Sequence, residues 1–84
     1  MDDLKTRFET AVNDASQLSE RPDNPTLLKI YALYKQATLG KPVDARPGFS
    51  DMVARAKWDA WHALQDMSRE QAMQAYIELI DSLN

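Results

Sequence analysis

Two tyrosines and a lysine in the middle of the chain are the first candidates for chemistry. Tyr31, Tyr34 and Lys35 are spaced so that a helix would place all three within an arc of about 100°. Phenol hydroxyls beside an ammonium group can hold an anion, whereas an ordinary core stripe ends in methyl groups. A half-buried helix face with its polar ends in water uses the same residue types. The spacing therefore leaves two interpretations open, an anion site and a solvated face.

Catalytic groups are scarce in this sequence. The absence of cysteine excludes a thiolate nucleophile, a disulfide and a sulfur-ligated metal site. His62 is the only histidine, and its position beside Trp61 with no second histidine nearby gives it no assigned role. The carboxylates lack metal-ligand spacing, and Gly40 and Gly48, the only glycines, cannot build a glycine-rich phosphate loop. We therefore expect a protein that is not an enzyme and holds no metal or cofactor.

The charge changes sign along the chain. A net charge of −3 argues against a general nucleic-acid binder. Residues 21–57 nevertheless contain seven Lys or Arg against three Asp, a net charge of +4, whereas residues 1–20 have two against five and residues 58–84 one against five. A second lysine among apolar residues, Lys57, lies in the same basic segment next to Trp58. Two such lysines on different helices indicate a local clamp for an anion.

The apolar spacing predicts four helices, and no segment has the pattern of a strand. Helix one is predicted from Leu4 to Leu18, followed by a turn. Helix two is predicted to have Asn24 as its cap and Pro25 in its first position, and to end near Leu39.

The second half of the chain begins with a long loop and continues with two helices. The loop length allows helix three to run parallel to helix two. Ser50 is the predicted cap of helix three, which is expected to extend to about Leu64. Ser68 and Gln71 match a capping box at the start of helix four. The sequence thus predicts an all-α fold with a single domain over residues 1–84.

Hydropathy bears on location. No apolar run approaches the ~18 residues of a membrane span, and the segment from Met1 to Lys5 is acidic rather than signal-like. We expect no stable membrane insertion and a cytoplasmic location.

Four segments, taken together, resemble the acyl-CoA-binding protein family. They keep the order and spacing of that family, and the resemblance covers essentially the whole chain. The segments are residues 31–40 (YALYKQATLG), 46–48 (RPG), 57–61 (KWDAW) and 72–76 (AMQAY).

The resemblance implies a four-helix bundle of up-down-down-up order, with a shallow bowl for long-chain acyl-CoA esters. By position, Tyr31, Lys35 and Lys57 would meet the adenine and 3′-phosphate of coenzyme A, and Tyr34 and Tyr76 would complete the pocket. The implied function is non-enzymatic binding, buffering and transport of acyl-CoA by a monomer that meets acyl-CoA-using enzymes only transiently. Two alternatives are a helical module that docks an acidic partner and a small acyl-CoA hydrolase or isomerase.

Three further positions complete the comparison with the family. Leu28 and Ser16 are included in the predicted ligand-binding set. The family often has a phosphate-binding lysine where this chain has Ser16, so the implied site lacks one cation. Lys41 replaces the usual aspartate after the glycine that ends helix two, and it can partly restore the positive field there.

Overall fold

The computed structural model describes residues 3–84 and contains four helices with no strand in that range. This confirms the predicted all-α fold. Within the same range, no helix is both long enough and apolar enough to cross a membrane. The helices are α1 (Leu4–Ala15), α2 (Asn24–Leu39), α3 (Met52–His62) and α4 (Arg69–Leu83).

Helix α2 lies at the centre of the packing, against α3 on one side and α4 on another, while α1 packs on α4. Helices α2 and α3 are parallel, because Tyr31 of α2 lies by Lys57 of α3 and, one turn further along both helices, Lys35 lies by Trp61. The long loop predicted between these helices is what allows the chain to return to the starting end of α2.

The other two directions follow from contacts at the helix ends. Near the end of α2, Gln36 donates from Nε2 to the carbonyl oxygen of Met67, just before α4 begins, at 2.7 Å. Helices α2 and α4 are therefore antiparallel. Near the start of α1, Lys5 shares a recess with Glu70 in the first turn of α4, so α1 and α4 run in the same direction. The resulting order is up-down-down-up, as the resemblance implied.

The core is formed by α1, α2 and α4. Leu33 and Ile80 are its largest fully buried side chains. Helix α3 contributes no fully buried residue, so its position depends on α2 and on the loop that precedes it. The buried cluster consists of Phe8, Ala11, Leu33, Ala37, Ala72, Tyr76, Ile77 and Ile80.

Two indole groups hold the α2–α3 loop against α3. Trp61 donates from Nε1 to the carbonyl oxygen of Gly40 at 2.7 Å, and Trp58 donates from Nε1 to that of Asp44 at 3.2 Å. Gly40 has a φ of 77°, a conformation that favours glycine, and this confirms the predicted stop of α2.

An ion pair adds a third attachment between the loop and α3. The Arg46 guanidinium donates to both carboxylate oxygens of Asp59, at 2.8 and 2.7 Å. These hydrogen bonds hold the pKa of Asp59 below its ordinary value. A bidentate arrangement fixes both groups in orientation, which ties the middle of the loop to the middle of α3.

Two predicted caps were wrong by one residue. The N-cap of α2 is Asp23, whose carboxylate accepts a hydrogen bond from the Thr26 amide at 2.9 Å, and not Asn24. Pro25 consequently lies in the second position of the helix. The N-cap of α3 is Asp51 and not Ser50. In both cases the neighbouring residue is also a common cap, but it is the Asp23 and Asp51 carboxylates that accept an amide hydrogen of the first turn.

The remaining boundaries are close to those predicted. The capping box of α4 is confirmed, with Ser68 and Gln71 each bonding the other's amide. Helix α1 ends at Ala15 rather than Leu18, and α3 ends at His62, after which the chain continues in turns to Met67.

Replacing Asp23 by alanine should lower the melting temperature at neutral pH by about 5 °C, because an amide at the start of α2 loses its acceptor. The hydrogen bond from Thr26 lowers the pKa of Asp23 from its ordinary value of 3.8. Its contribution is therefore present above pH 3.8 and is lost as the pH falls through the lowered pKa. Thermal unfolding followed by circular dichroism at several pH values tests this. Asn24→Ala is the matched control, and an equal effect of that variant would contradict the assignment of the cap.

Candidate functional site

An apolar groove runs between the parallel helices α2 and α3. Its volume is about 420 Å³, which lies within the range of small-molecule pockets. It exists because α3 packs on α2 alone among the helices and leaves the starting ends of both open on one side. The lining residues are Arg21, Asn24, Leu27, Leu28, Tyr31, Met52, Val53, Ala56 and Lys57.

Two lysines from different helices converge at the end of this groove. The Lys57 ammonium nitrogen lies 5.4 Å from the centre of the Tyr31 ring, and that of Lys35 lies 5.9 Å from the same centre. Lys35 also lies 5.0 Å from the centre of a Trp61 ring. We call Tyr31, Lys35, Lys57 and Trp61 the lysine cluster. It places two positive charges around one tyrosine ring.

The charges of the lysine cluster are available to an added anion. Within residues 3–84, Arg46 forms an ion pair with Asp59, and neither Lys35 nor Lys57 has a carboxylate partner. Their observed neighbours are aromatic rings, and such contacts contribute about 0.5–2 kcal/mol. Charge-assisted hydrogen bonds to a phosphate are about as strong or stronger. The cluster can therefore receive a phosphate group without first breaking an ion pair.

The other two predicted tyrosines belong to a separate ring cluster. Tyr34 and Tyr76 have ring centres 6.4 Å apart, and both meet Phe8, at 6.0 and 5.1 Å. Tyr76 is 3% exposed, whereas Tyr34 is 41% exposed. Burial, and next the nearby Tyr34, raise the pKa of Tyr76 above its ordinary value of 10.0.

The ring cluster borders a second recess, between α1, α2 and α4. This recess has a volume of about 550 Å³, and Phe8, Val12, Tyr34 and Met73 form its apolar part. Helix α2 separates it from the apolar groove, because Tyr31 and Lys35 turn towards α3 while Tyr34 turns towards α1. The predicted residues are thus divided between two faces of one helix.

The structure places the last two predicted residues differently. Leu28 lines the apolar groove together with Tyr31 and Lys57. Ser16 is exposed at the end of α1, where its hydroxyl donates to the carbonyl oxygen of Asn13 at 2.7 Å. Within residues 3–84, Ser16 is in neither the lysine cluster nor the lining of the two recesses.

Sequence reasoning missed the role of Trp61 as a neighbour of Lys35. Trp61 was given no role of its own from the sequence, whereas its ring stands against a lysine of α2 and its indole nitrogen donates a hydrogen bond to the carbonyl oxygen of Gly40. The available signal was its position four residues after Lys57, on the same helix face. Across the described part of the chain, no three His, Cys, Asp or Glu side chains come close enough to bind a metal ion.

Curated proteins similar to this chain are longer than it is. The chain is 54% identical over 78 residues to acyl-CoA-binding domain-containing protein 5 of Xenopus laevis, and this alignment covers 88% of the chain and 17% of the relative. It is 47% identical over 77 residues to enoyl-CoA delta isomerase 2 of Rattus norvegicus, and this alignment covers 92% of the chain and 20% of the relative. The chain therefore spans a fifth or less of the length of these two relatives.

A solved structure and a family model cover nearly the whole chain. Acyl-CoA-binding protein 2 of Oryza sativa superposes with a TM-score of 0.91 at 40% identity, over 95% of this chain and 87% of that one. The model described as "Acyl CoA binding protein" matches residues 5–80. The match, the identities and the shared bundle agree, and the chain belongs to the acyl-CoA-binding protein family.

Proposed function

We propose that residues 1–84 form a single acyl-CoA-binding domain that holds long-chain acyl-CoA esters without transforming them. The observation that carries this proposal is the convergence of Lys35 and Lys57 on the Tyr31 ring beside an apolar groove. A cationic pocket next to an apolar one suits a ligand with a phosphorylated head and a hydrocarbon tail.

The lysine cluster would bind the head of the ligand. A phosphate dianion gains charge-assisted hydrogen bonds from Lys35 and Lys57, and the Tyr31 hydroxyl adds a donor. An adenine ring can stack on an exposed aromatic face, and Tyr34 offers one at the edge of the second recess. In this proposal the Tyr76 ring supports Tyr34, with ring centres 6.4 Å apart, and the Tyr76 hydroxyl contacts the ligand.

The apolar groove would bind the acyl chain. Leu28, Met52 and Val53 present hydrocarbon surface along it, and each buried methylene contributes about 0.8 kcal/mol. A dozen methylenes would contribute on the order of 10 kcal/mol before the cost of association. The tail therefore supplies most of the affinity, and the head supplies the selectivity for coenzyme A.

The wider role that we propose is that of a monomeric cytoplasmic carrier. A protein that covers the tail can buffer free acyl-CoA and present the thioester to acyl-CoA-using enzymes in transient encounters. A lack of catalysis is part of the proposal, although one relative bears the name of an isomerase. The residue inventory supports it, because the chain has no cysteine and a single histidine, His62, which stacks on Trp58 with ring centres 4.6 Å apart.

Calorimetric titration with palmitoyl-CoA, coenzyme A and palmitate tests the proposal. Palmitoyl-CoA should bind with one site per chain and far more tightly than either fragment, because only it engages both the groove and the lysine cluster. Analysis of the mixture after incubation should return unchanged palmitoyl-CoA. Equal affinity for palmitate and palmitoyl-CoA would show that the coenzyme A head is not recognised. A turnover product would show that the protein is an enzyme.

Adding a cation at the end of α1 should strengthen binding. Ser16 is exposed, so Ser16→Lys introduces a long charged side chain without disturbing the core. We expect affinity for palmitoyl-CoA to rise about threefold at low salt, because the added ammonium attracts the phosphates of the ligand. The rise should be smaller at high salt, because exposed charges are screened. Gln17→Lys places the same charge on the neighbouring exposed position and is the control. Equal gains from both variants would indicate a general charge effect, and no gain from Ser16→Lys would contradict the prediction.

A further inference from the structure

Exposed apolar side chains are concentrated around the start of α3. Phe49 is 77% exposed, Met52 60% and Val53 66%. A patch of this kind is uncommon on a surface that meets only water. The proposed ligand accounts for Met52 and Val53, which line the groove, but not for Phe49, which lies outside it.

Arginine side chains accompany these apolar groups. The Arg55 guanidinium carbon lies 4.0 Å from the centre of the Phe49 ring, and Arg21 lines the mouth of the groove with Met52 and Val53. We call Phe49, Met52, Val53, Arg21 and Arg55 the rim patch. The nearest carboxylate in sequence, that of Asp51, accepts the Ala54 amide hydrogen as the cap of α3.

We propose that the rim patch docks reversibly on the surface of an anionic lipid bilayer. Apolar side chains can enter the boundary between head groups and acyl chains, while neighbouring arginines meet lipid phosphates and carboxylates. The patch lies in the basic segment of residues 21–57, and the flanking segments are acidic. This charge asymmetry favours an approach in which the basic segment, and the rim patch with it, faces a negative surface.

The small number of apolar groups in the rim patch favours a lipid surface over a protein. A stable protein interface buries about 800 Å² on each partner and is built around a packed centre. The rim patch has three protruding apolar groups around an open groove, and such groups suit shallow insertion into a fluid interface. Docking would bring the groove mouth to the lipid surface. The proposal extends the proposed function but does not depend on it, because docking requires no bound acyl-CoA.

Vesicle co-sedimentation tests the proposal with the ligand-free protein. Vesicles of phosphatidylcholine with phosphatidylserine should sediment the protein at low salt, whereas phosphatidylcholine alone should not, and added salt should release it. Phe49→Ser should lower the vesicle affinity about fivefold by removing the inserted ring. Arg55→Gln should lower it by a similar factor.

The control is Leu39→Ser, which removes an exposed apolar side chain at the opposite end of α2. It should leave vesicle binding unchanged, and Phe49→Ser should leave the calorimetric affinity for palmitoyl-CoA unchanged. The proposal is overturned if the protein stays in solution with both kinds of vesicle. That result is expected if the rim patch binds a protein partner instead. Equal losses from Leu39→Ser and Phe49→Ser would also overturn it. Normal acyl-CoA binding with no vesicle binding would refute docking alone, and the reverse result would refute the carrier function alone.

Discussion

Lys57→Met is expected to weaken palmitoyl-CoA binding about tenfold or more, measured by calorimetry at low salt. Methionine keeps the length and apolar stem of the side chain, so the groove wall should be preserved while the charge is lost. A charge-assisted hydrogen bond contributes about 1.5–3 kcal/mol when it is formed. Because Lys57 is exposed, salt should reduce the difference between wild type and variant.

The 3′-phosphate can be isolated as the recognised group by changing the ligand as well. Palmitoyl-dephospho-CoA lacks that phosphate, and the Lys57→Met variant should bind it almost as well as the wild type does. The change in the protein and the change in the ligand together form a double-mutant cycle. Its coupling energy reports the contact between Lys57 and the 3′-phosphate directly. Lys35→Met should behave in the same way, with Lys35 reaching the phosphate from α2.

Lys29→Met provides the matched control. Lys29 is an exposed lysine of α2 in the same basic segment, and it lies about 200° around the helix from Tyr31. A loss of affinity equal to that of Lys57→Met would attribute the effect to net charge. A loss with Lys57→Met that is the same for both ligands would contradict contact with the 3′-phosphate. Circular dichroism of each variant should match the wild type, since neither lysine is in the buried cluster.

The helices were predicted well because the signals that start and stop a helix lie within a few residues of its ends. Gly40 stops α2, and the box formed by Ser68 and Gln71 starts α4, as the spacing indicated. The errors at Asn24 and Ser50 arose where two adjacent residues both favour the cap position. The choice between them depends on the path of the preceding turn, which the sequence pattern does not specify.

The residue types of the candidate site could be predicted from the sequence. The separation of those residues onto two faces of α2 could not. Lysines among aromatic residues in a basic segment identified Lys35 and Lys57, and the structure brings both to the Tyr31 ring. The sequence could not show that α3 covers the side of α2 that carries Tyr31 while α1 approaches Tyr34. Which helix covers which face is decided by long-range packing, and the length of a loop does not fix it.

Tyr76→Ala is expected to lower the free energy of unfolding by about 3–5 kcal/mol, the usual cost of removing a large aromatic side chain from a core. The ring is buried and contacts Phe8 edge-on at 5.1 Å between ring centres. Such a loss is a large part of the stability of a domain of this size. Urea unfolding measures it, and Val43→Ala, at a highly exposed position, should change stability little. A small effect of Tyr76→Ala would contradict the core role.

Tyr76→Phe separates the ring of this residue from its hydroxyl. Below pH 10 the variant should be nearly as stable as the wild type, because the ring packing is retained. Above pH 10 the wild type should lose stability relative to the variant. Burial raises the pKa of Tyr76 in the folded state above 10.0, so the unfolded chain releases the phenol proton first and is favoured as the pH rises. The difference should level off above the raised pKa.

The same variant tests whether the Tyr76 hydroxyl meets the ligand. If it does, Tyr76→Phe weakens palmitoyl-CoA binding at neutral pH, where its stability is unchanged and the loss cannot come from unfolding. If the hydroxyl serves only beneath Tyr34, affinity stays the same and the ring alone supports the site. We expect a loss of about fivefold, since a neutral hydrogen bond contributes roughly 1 kcal/mol, and Tyr76 would then join the core and the binding site through opposite ends of one side chain.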